Sequence, residues 1–399
     1  MTQVSSGRAP AIVVGLDCIT GLQTARILAG QGVPVIGVAR NPHHYCCRTR
    51  ACTRVVASDT SGAELTATLE RLAVDLGERG VLFPCTDGSV LRISRDRDRL
   101  EKTYEIALPS AETVELLIDK VRFYTFAAER DLPIPRTVFL ERRADLEKVA
   151  GGLTYPCILK PPMKTATWER MTNLKVFKVD SVDDLLATYD RCADWADLLM
   201  VQEWIPGPDE NLYSCNCYFD ASGQPLVTFI ARKLRQWPPE VGTSCLGEEV
   251  RNDDVLDASV RLFRAVGYHG LGYVEMKRDQ RNGKHYIIEP NIGRPTGRSA
   301  IAEAGGVALL YTKYCDKAGL PLPSNREQRY GEAKWIYLRR DIQSALFYWK
   351  RGDISLADWW RTWRGRKFYA VLDFRDPMPF LLDNWRVVRE RLMPRRAQD

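Results

Sequence analysis

The stretch "AIVVGLDCITGLQTARILAGQGVPVIGVAR", residues 11–40, constrains the fold more than any other. An apolar β-branched run leads into a turn flanked by Gly15 and Gly21. Leu22, Ala25, Leu28 and Ala29 then fall at helical spacing, and "VPVIGVA" forms a second apolar run. Two buried strands joined through a helix lie parallel, because the crossover returns the chain to the same end of the sheet. A helix near residues 62–76 and a further strand in "GVLFPCTDGSV" extend this into an α/β unit of about 105 residues. The turn is not the dinucleotide fingerprint GxGxxG, and Arg40 stands where a ribose-binding acid would follow the second strand. An oxidoreductase using this unit for a dinucleotide is therefore the weaker alternative.

The pattern changes beyond residue 105. Ser110 and Asp119 are N-cap residues for two helices, the second ending before Leu132-Pro133. "TYPCILKPP" is a strand stopped by prolines, and "DLLMVQEWIPG" is a strand ending at a Pro-Gly turn. Two hairpins follow, "LYSCNCYFDASGQPLVTFIARKL" and "GYVEMKRDQRNGKHYIIEPN". Antiparallel hairpins after a parallel unit predict a separate α+β domain, and 399 residues accommodate two or three domains.

The second hairpin carries two acids. A three-residue loop Arg281-Asn282-Gly283, with glycine at the left-handed position, pairs Gln280 with Lys284 and sets Glu275 opposite Glu289. Their Cβ atoms would then lie about 5 Å apart on one face, with Asn291 following on the same side. Two readings fit: an exposed hairpin with scattered charges, or a site where a hard divalent cation such as Mg²⁺ reconciles the carboxylates, with Asn291 as third oxygen donor. A bound Mg²⁺ implies nucleotide phosphates, which need cations. Lys160 closes an apolar strand, where an ammonium is costly to desolvate, and Lys120 opens a helix. "VQEWIPG" has the form of a nucleotide hinge: its strand-end backbone could bond an adenine edge, with Trp204 and Ile205 as apolar contacts and Asp209 or Glu210 near ribose hydroxyls.

The order of Asp119-Lys120, Lys160, "QEWIPG" (202–207), "ARK" (231–233), Glu275 and "EPNIGR" (289–294) resembles the ATP-grasp superfamily, specifically its carboxylate–amine ligases near the D-aspartate ligase-like members. The resemblance spans about residues 106–312, with residues 10–105 similar to the Rossmann-like pre-ATP-grasp domain. It implies a Rossmann-like domain over 1–105 and an ATP-grasp domain over 106–320 with ATP between two α+β subdomains; what remains, 321–399, is a basic, Trp-rich helical C-terminal extension by its own composition and spacing. It also implies ATP and two Mg²⁺ ions, with Lys120 and Lys160 on the phosphates. Glu203, Trp204 and Ile205 then line the adenine hinge, and Asp209 or Glu210 meets the ribose. Glu275, Glu289 and Asn291 would hold Mg²⁺, and Arg294, with Arg232 or Lys233, would steady the reacting acyl phosphate or carboxylate.

The activity implied is amide formation from a carboxylate and an amine at the expense of ATP, with carboxylation or phosphorylation as alternative outcomes. Two departures stand out. The segment "PPMKTATWERMTNLK" has no glycine where relatives cover the phosphates with a glycine-rich loop, so Lys164, Thr165 and Thr167 side chains would have to substitute. The last 66 residues, 334–399, match no part of that fold, and Arg298 has no assigned role.

Eleven cysteines without a CxxC point to reduced thiols in a cytoplasmic protein. The His43, His44, Cys46, Cys47, Cys52 cluster lacks the chelate spacing of a zinc site. The opening "MTQVSSGRAP" has no apolar leader core, and no apolar run reaches membrane-spanning length.

The positive charge concentrates in residues 334–399, with 15 Lys+Arg against 8 Asp+Glu, leaving 42 against 43 elsewhere, so a nucleic-acid partner is not expected. Within this tail Ile342, Ala345, Leu346 and Trp349 share one helical face, and Leu356, Trp359, Trp360 and Trp363 another. Packing over their own domain is the expected role of these faces. Contact with a membrane surface or a lipid- or glycan-linked substrate is the alternative, and a homodimer is compatible with the pattern.

Overall fold

The computed structural model describes residues 8–239 and 242–392. Residues 1–7, read above for the missing leader core, and residues 393–399 of the expected extension lie outside the described residues.

The first sheet comprises β1 (Ala11–Val14), β2 (Val35–Ala39), β3 (Arg54–Ala57), β4 (Gly80–Pro84) and β5 (Tyr104–Glu105). All its pairs are parallel, in the order β3-β2-β1-β4-β5. The chain winds outward from β1 in one direction and then resumes on its other side with β4. That reversal places the loops after β1 and β4 side by side at one end of the sheet. The β4 loop starts helix Asp87–Arg95, where Thr86 accepts the Ser89 N–H as N-cap.

The second sheet contains β6 (Thr137–Leu140), β7 (Cys157–Lys160), β8 (Phe177–Val179) and β9 (Leu199–Glu203), antiparallel in the order β6-β9-β7-β8. The third contains β10 (Leu212–Phe219), β11 (Pro225–Trp237), β12 (Thr243–Glu249), β13 (Gly270–Arg278), β14 (His285–Ile292), β15 (Lys334–Ile336) and β16 (Lys367–Tyr369). Its order is β14-β13-β10-β11-β12-β15-β16, antiparallel except for β15 with β16. The tail thus supplies two strands to this sheet as well as helices. "KWI" and "KFY" are too short to show strand alternation in the sequence.

The expected faces of the tail helices are only partly buried. In helix Leu338–Arg351 Ala345 is buried, but Ile342, Leu346 and Trp349 are 37%, 45% and 45% exposed, whereas Asp341 and Ser344 are fully buried. In helix Leu356–Arg361 Trp360 is exposed and stacks on Trp363, while the indole N–H groups of Trp359 and Trp363 donate to Asp341 Oδ2 at 3.0 and 3.2 Å. The physical reason is the buried Arg235 guanidinium of β11. It donates to Asp341 Oδ1 at 2.8 Å, and a desolvated cation demands a carboxylate more strongly than an aliphatic face demands cover. No helix among the described residues is long and apolar enough to cross a membrane. His44, from the His/Cys cluster, caps the short turn Tyr45–Arg48 by accepting the Cys46 N–H, and Cys46 packs in the core.

Candidate active site

A cleft of about 160 Å³ separates the second and third sheets. One wall is Ile158 and Lys160 of β7 with Gln202 and Glu203 of β9. The other is Lys233 and Gln236 of β11, Glu275 and Lys277 of β13 and Ile288 of β14, with Trp204 and Ile205 at the hinge. Lys160 reaches the cleft because β7 buries Cys157, Ile158 and Leu159 and then halts at two prolines. Burial, then repulsion from Lys120, lowers the Lys160 ammonium to a pKa of about 8, with Glu289 pulling the other way. Lys120 is the first residue of helix Lys120–Glu129, capped by Asp119, which accepts the Arg122 N–H.

At the hinge, the Trp204 N–H donates to Pro156 O at 2.9 Å and is not free for a ligand. Ile205 is 4% exposed and lines the cleft, and its N–H has no acceptor among the described residues. A buried backbone donor without a partner is rare, and a purine ring nitrogen would satisfy it. Lys277 Nζ lies 4.5 Å from the centre of the Trp204 ring. The Glu203 carboxylate turns to the preceding loop and accepts the Thr154 N–H at 2.9 Å, so only its backbone faces the hinge. Asp209 has both oxygens engaged, by Gln236 Nε2 at 2.6 Å and the Tyr348 hydroxyl at 2.8 Å. Of the two acids expected near ribose, Glu210 is the one without a side-chain hydrogen bond among the described residues.

Glu275 stands opposite Glu289 across β13 and β14. Nearer the tip, Arg278 faces His285, the Asp279 N–H donates to Lys284 O and the Gly283 N–H donates to Asp279 O. The loop therefore holds four residues, 280–283, and a bulge at Ile288 restores the register. The displaced Ile288 carbonyl accepts the Tyr124 hydroxyl from helix Lys120–Glu129, tying that helix to the acid strand.

Lys233 Nζ donates to Glu275 Oε1 at 3.1 Å, and Arg298 Nη2 lies 3.7 Å from Oε2. Burial alone would raise the Glu275 carboxyl, but the Lys233 and Arg298 charges outweigh it and hold the pKa below its usual value. Arg294 donates to Asn291 Oδ1 at 2.7 Å and to Asp87 of the first sheet's helix at 2.5 Å. Gly293 makes this turn possible: its φ is +70°, and a Cβ there would lie 2.4 Å from Leu108 and 2.8 Å from Val90. Arg232 does not join the group. Ala231 and Lys233 share one face of β11, and Arg232 points to the other, where it donates twice to Glu248 Oε1 at 2.6 and 2.8 Å.

The oxygen donors suit a hard cation. Among the described residues Glu289 has no cationic side chain within ion-pair distance, and the side-chain hydrogen bond it accepts there comes from Asn291 Nδ2 at 3.4 Å. Glu275 and Asn291 would join it as ligands by exchanging Lys233 and Arg294 for the ion. Among the described residues no group of three or more His, Cys, Asp or Glu side chains is preassembled for a metal.

Several site residues escaped the sequence reading. Arg298, to which the sequence assigns no role, flanks Glu275. Gln236 follows two irregularities in β11 that break strand alternation, so periodicity could not place it. Lys175 acts electrostatically on Glu275 from the glycine-free segment. In that segment Thr165 caps helix Ala166–Met171 and donates to Trp195 O, and Lys164 lies 3.9 Å from Glu169. Thr167 accepts from Arg170 at 3.4 Å.

Two sheets clamping a cleft, with Lys160 on one wall and Glu275 between Lys233 and Lys277 on the other, form the ATP-grasp fold. N5-carboxyaminoimidazole synthetase from Staphylococcus aureus superimposes with a TM-score of 0.63 at 13% identity, covering 84% of this chain and 83% of its own. Biotin carboxylase from Campylobacter jejuni, in its β,γ-ATP complex, gives 0.63 at 16% identity over 81% and 74%. Among curated relatives, D-aspartate ligase from Enterococcus faecium is 24% identical over 240 residues, 57% of this chain and 56% of the relative. D-alanine–D-alanine ligase B from Pseudomonas putida is 21% identical over 189 residues, 44% and 54%. The resemblance to ATP-grasp carboxylate–amine ligases thus holds in sequence and in fold. The chain spans about half the length of the curated relatives it matches. No protein-family model matches it.

Proposed function

We propose that the protein is an ATP-dependent carboxylate–amine ligase acting on small molecules in the cytoplasm. The observation that carries this reading is Glu275 paired with Glu289 across a cleft from Lys160. Bound MgATP would supply a γ-phosphoryl group to a substrate carboxylate, and an amine would displace phosphate from the acyl phosphate to leave an amide, ADP and phosphate. The chain's own contribution is positioning and charge neutralisation. Lys120 and Lys160 hold the phosphates, and the Ile205 N–H and Trp204 hold the base. Glu289, Glu275 and Asn291 hold one or two Mg²⁺ ions. Arg294, anchored on Asp87, steadies the reacting carboxylate, with Lys233 and Arg298 beside it. The parallel sheet is the Rossmann-like domain preceding the clamp, with boundaries near residues 105 and 320.

ADP release screened with amino acids against small carboxylic acids tests the reading. Glu289→Gln should lower turnover at least ~100-fold with the fold intact. An active Glu289→Gln enzyme, or tight NAD binding without ATP binding, would refute it.

A further inference from the structure

We infer that helix Leu338–Arg351 belongs to the nucleotide site, with Tyr348 as a positioning residue that holds Asp209 and, through it, Gln236 and Lys233. This rests on the proposed nucleotide cleft. The helix turns its polar strip, Asp341, Ser344 and Tyr348 at i, i+3 and i+7, toward the end of β11. Asp341 pairs with Arg235, and the Ser344 hydroxyl donates to Gln236 O at 2.9 Å. The Tyr348 hydroxyl donates to Asp209 Oδ2 at 2.8 Å. A helix that buries polar groups and exposes its aliphatic face sacrifices hydrophobic stabilisation. Arg235 accounts for Asp341, but Tyr348 at the far end needs a separate reason.

That reason is a continuous series of contacts leading into the acid hairpin. Tyr348 donates to Asp209, and Asp209 accepts from Gln236 Nε2 at 2.6 Å. Gln236 Oε1 lies 3.5 Å from Lys233 Nζ, which donates to Glu275 at 3.1 Å. The carboxamide orientation is specified at both ends: an ionised carboxylate only accepts and an ammonium only donates. Asp209 therefore turns the Gln236 oxygen toward Lys233. Lys233 and Gln236 both line the cleft. Asp209 itself begins the turn Asp209–Asn211, which carries Glu210 beside the hinge. Loss of the tyrosine hydroxyl frees Asp209, releases the carboxamide and loosens the turn.

The test uses the full chain. Tyr348→Phe should weaken MgADP binding in isothermal titration, and raise the KM for ATP, by about tenfold, with kcat within about twofold and an unchanged unfolding midpoint. Asp209→Asn should have a similar effect, and the double variant should be no weaker than the worse single. Leu346→Ser, on the exposed face of the same helix, should bind as wild type. Tyr348→Phe binding like wild type, or an equal loss in Leu346→Ser, would overturn the inference while leaving the ligase reading standing. A wild-type protein that binds no adenine nucleotide would remove both.

Discussion

Lys160 makes a quantitative prediction about proton exchange on nucleotide binding. Burial and Lys120 lower its pKa to about 8, so in the free protein it is half neutral at that pH. Phosphates placed on the ammonium favour its charged form and drive the pKa back up. Binding should therefore take up about a quarter of a proton at pH 7.5, about half at pH 8 and about three-quarters at pH 8.5. Apparent affinity should fall as pH rises through 8, approaching a tenfold loss per unit above it. Titration calorimetry with MgADP in buffers of different ionisation enthalpy reads the uptake directly. Lys160→Met should abolish the rise with pH. Lys120→Met, by removing the like charge, should move the curve to higher pH. Uptake that stays flat between pH 7.5 and 8.5, or proton release, would refute the placement of Lys160 on the phosphates.

Two further outcomes concern the tail. Asp341→Ala strands the buried Arg235 guanidinium and removes the acceptor of two indole N–H groups, so urea denaturation should register a loss of about 3–5 kcal/mol. Leu346→Ser, on the face that periodicity alone would bury, should change stability by no more than ~0.5 kcal/mol, and a loss above ~2 kcal/mol in the same assay would mean that face is covered in solution.

The features legible in the sequence were those whose causes are local. Ser110 and Asp119 cap their helices because each is a short acceptor just before a helical run, and the βαβ opening shows in its own periodicity. Lys160 stood out because an apolar strand ending in an ammonium is expensive anywhere. The acid pair was legible for a different reason. The expected three-residue loop would set Arg278 opposite Tyr286, yet Arg278 faces His285. The real loop is one residue longer, and the bulge at Ile288 compensates before the chain reaches Glu289. Two deviations of opposite sign cancel before the Glu275–Glu289 pair. The carbonyl displaced at the bulge accepts the Tyr124 hydroxyl, a contact 164 residues apart in sequence that no local pattern encodes.

Arg232 and the tail helix expose the same limit. "ARK" names two cations, but which one enters the cleft depends on strand parity, and parity in β11 is set by its pairing with β10. In helix Leu338–Arg351 the apolar residues do share a face, as their spacing says. Spacing determines which residues lie together, whereas the neighbours determine which face turns inward. Here the neighbour is β11, which presents a buried guanidinium at Arg235 and the backbone carbonyl of Gln236. Leaving that guanidinium unpaired in the interior would cost more than exposing Ile342, Leu346 and Trp349. The polar face turns in, and Tyr348 is carried with it to the Asp209 carboxylate at the edge of the cleft. An acid with the sequence position of a ribose ligand thus serves as the anchor through which the C-terminal segment reaches the proposed nucleotide site.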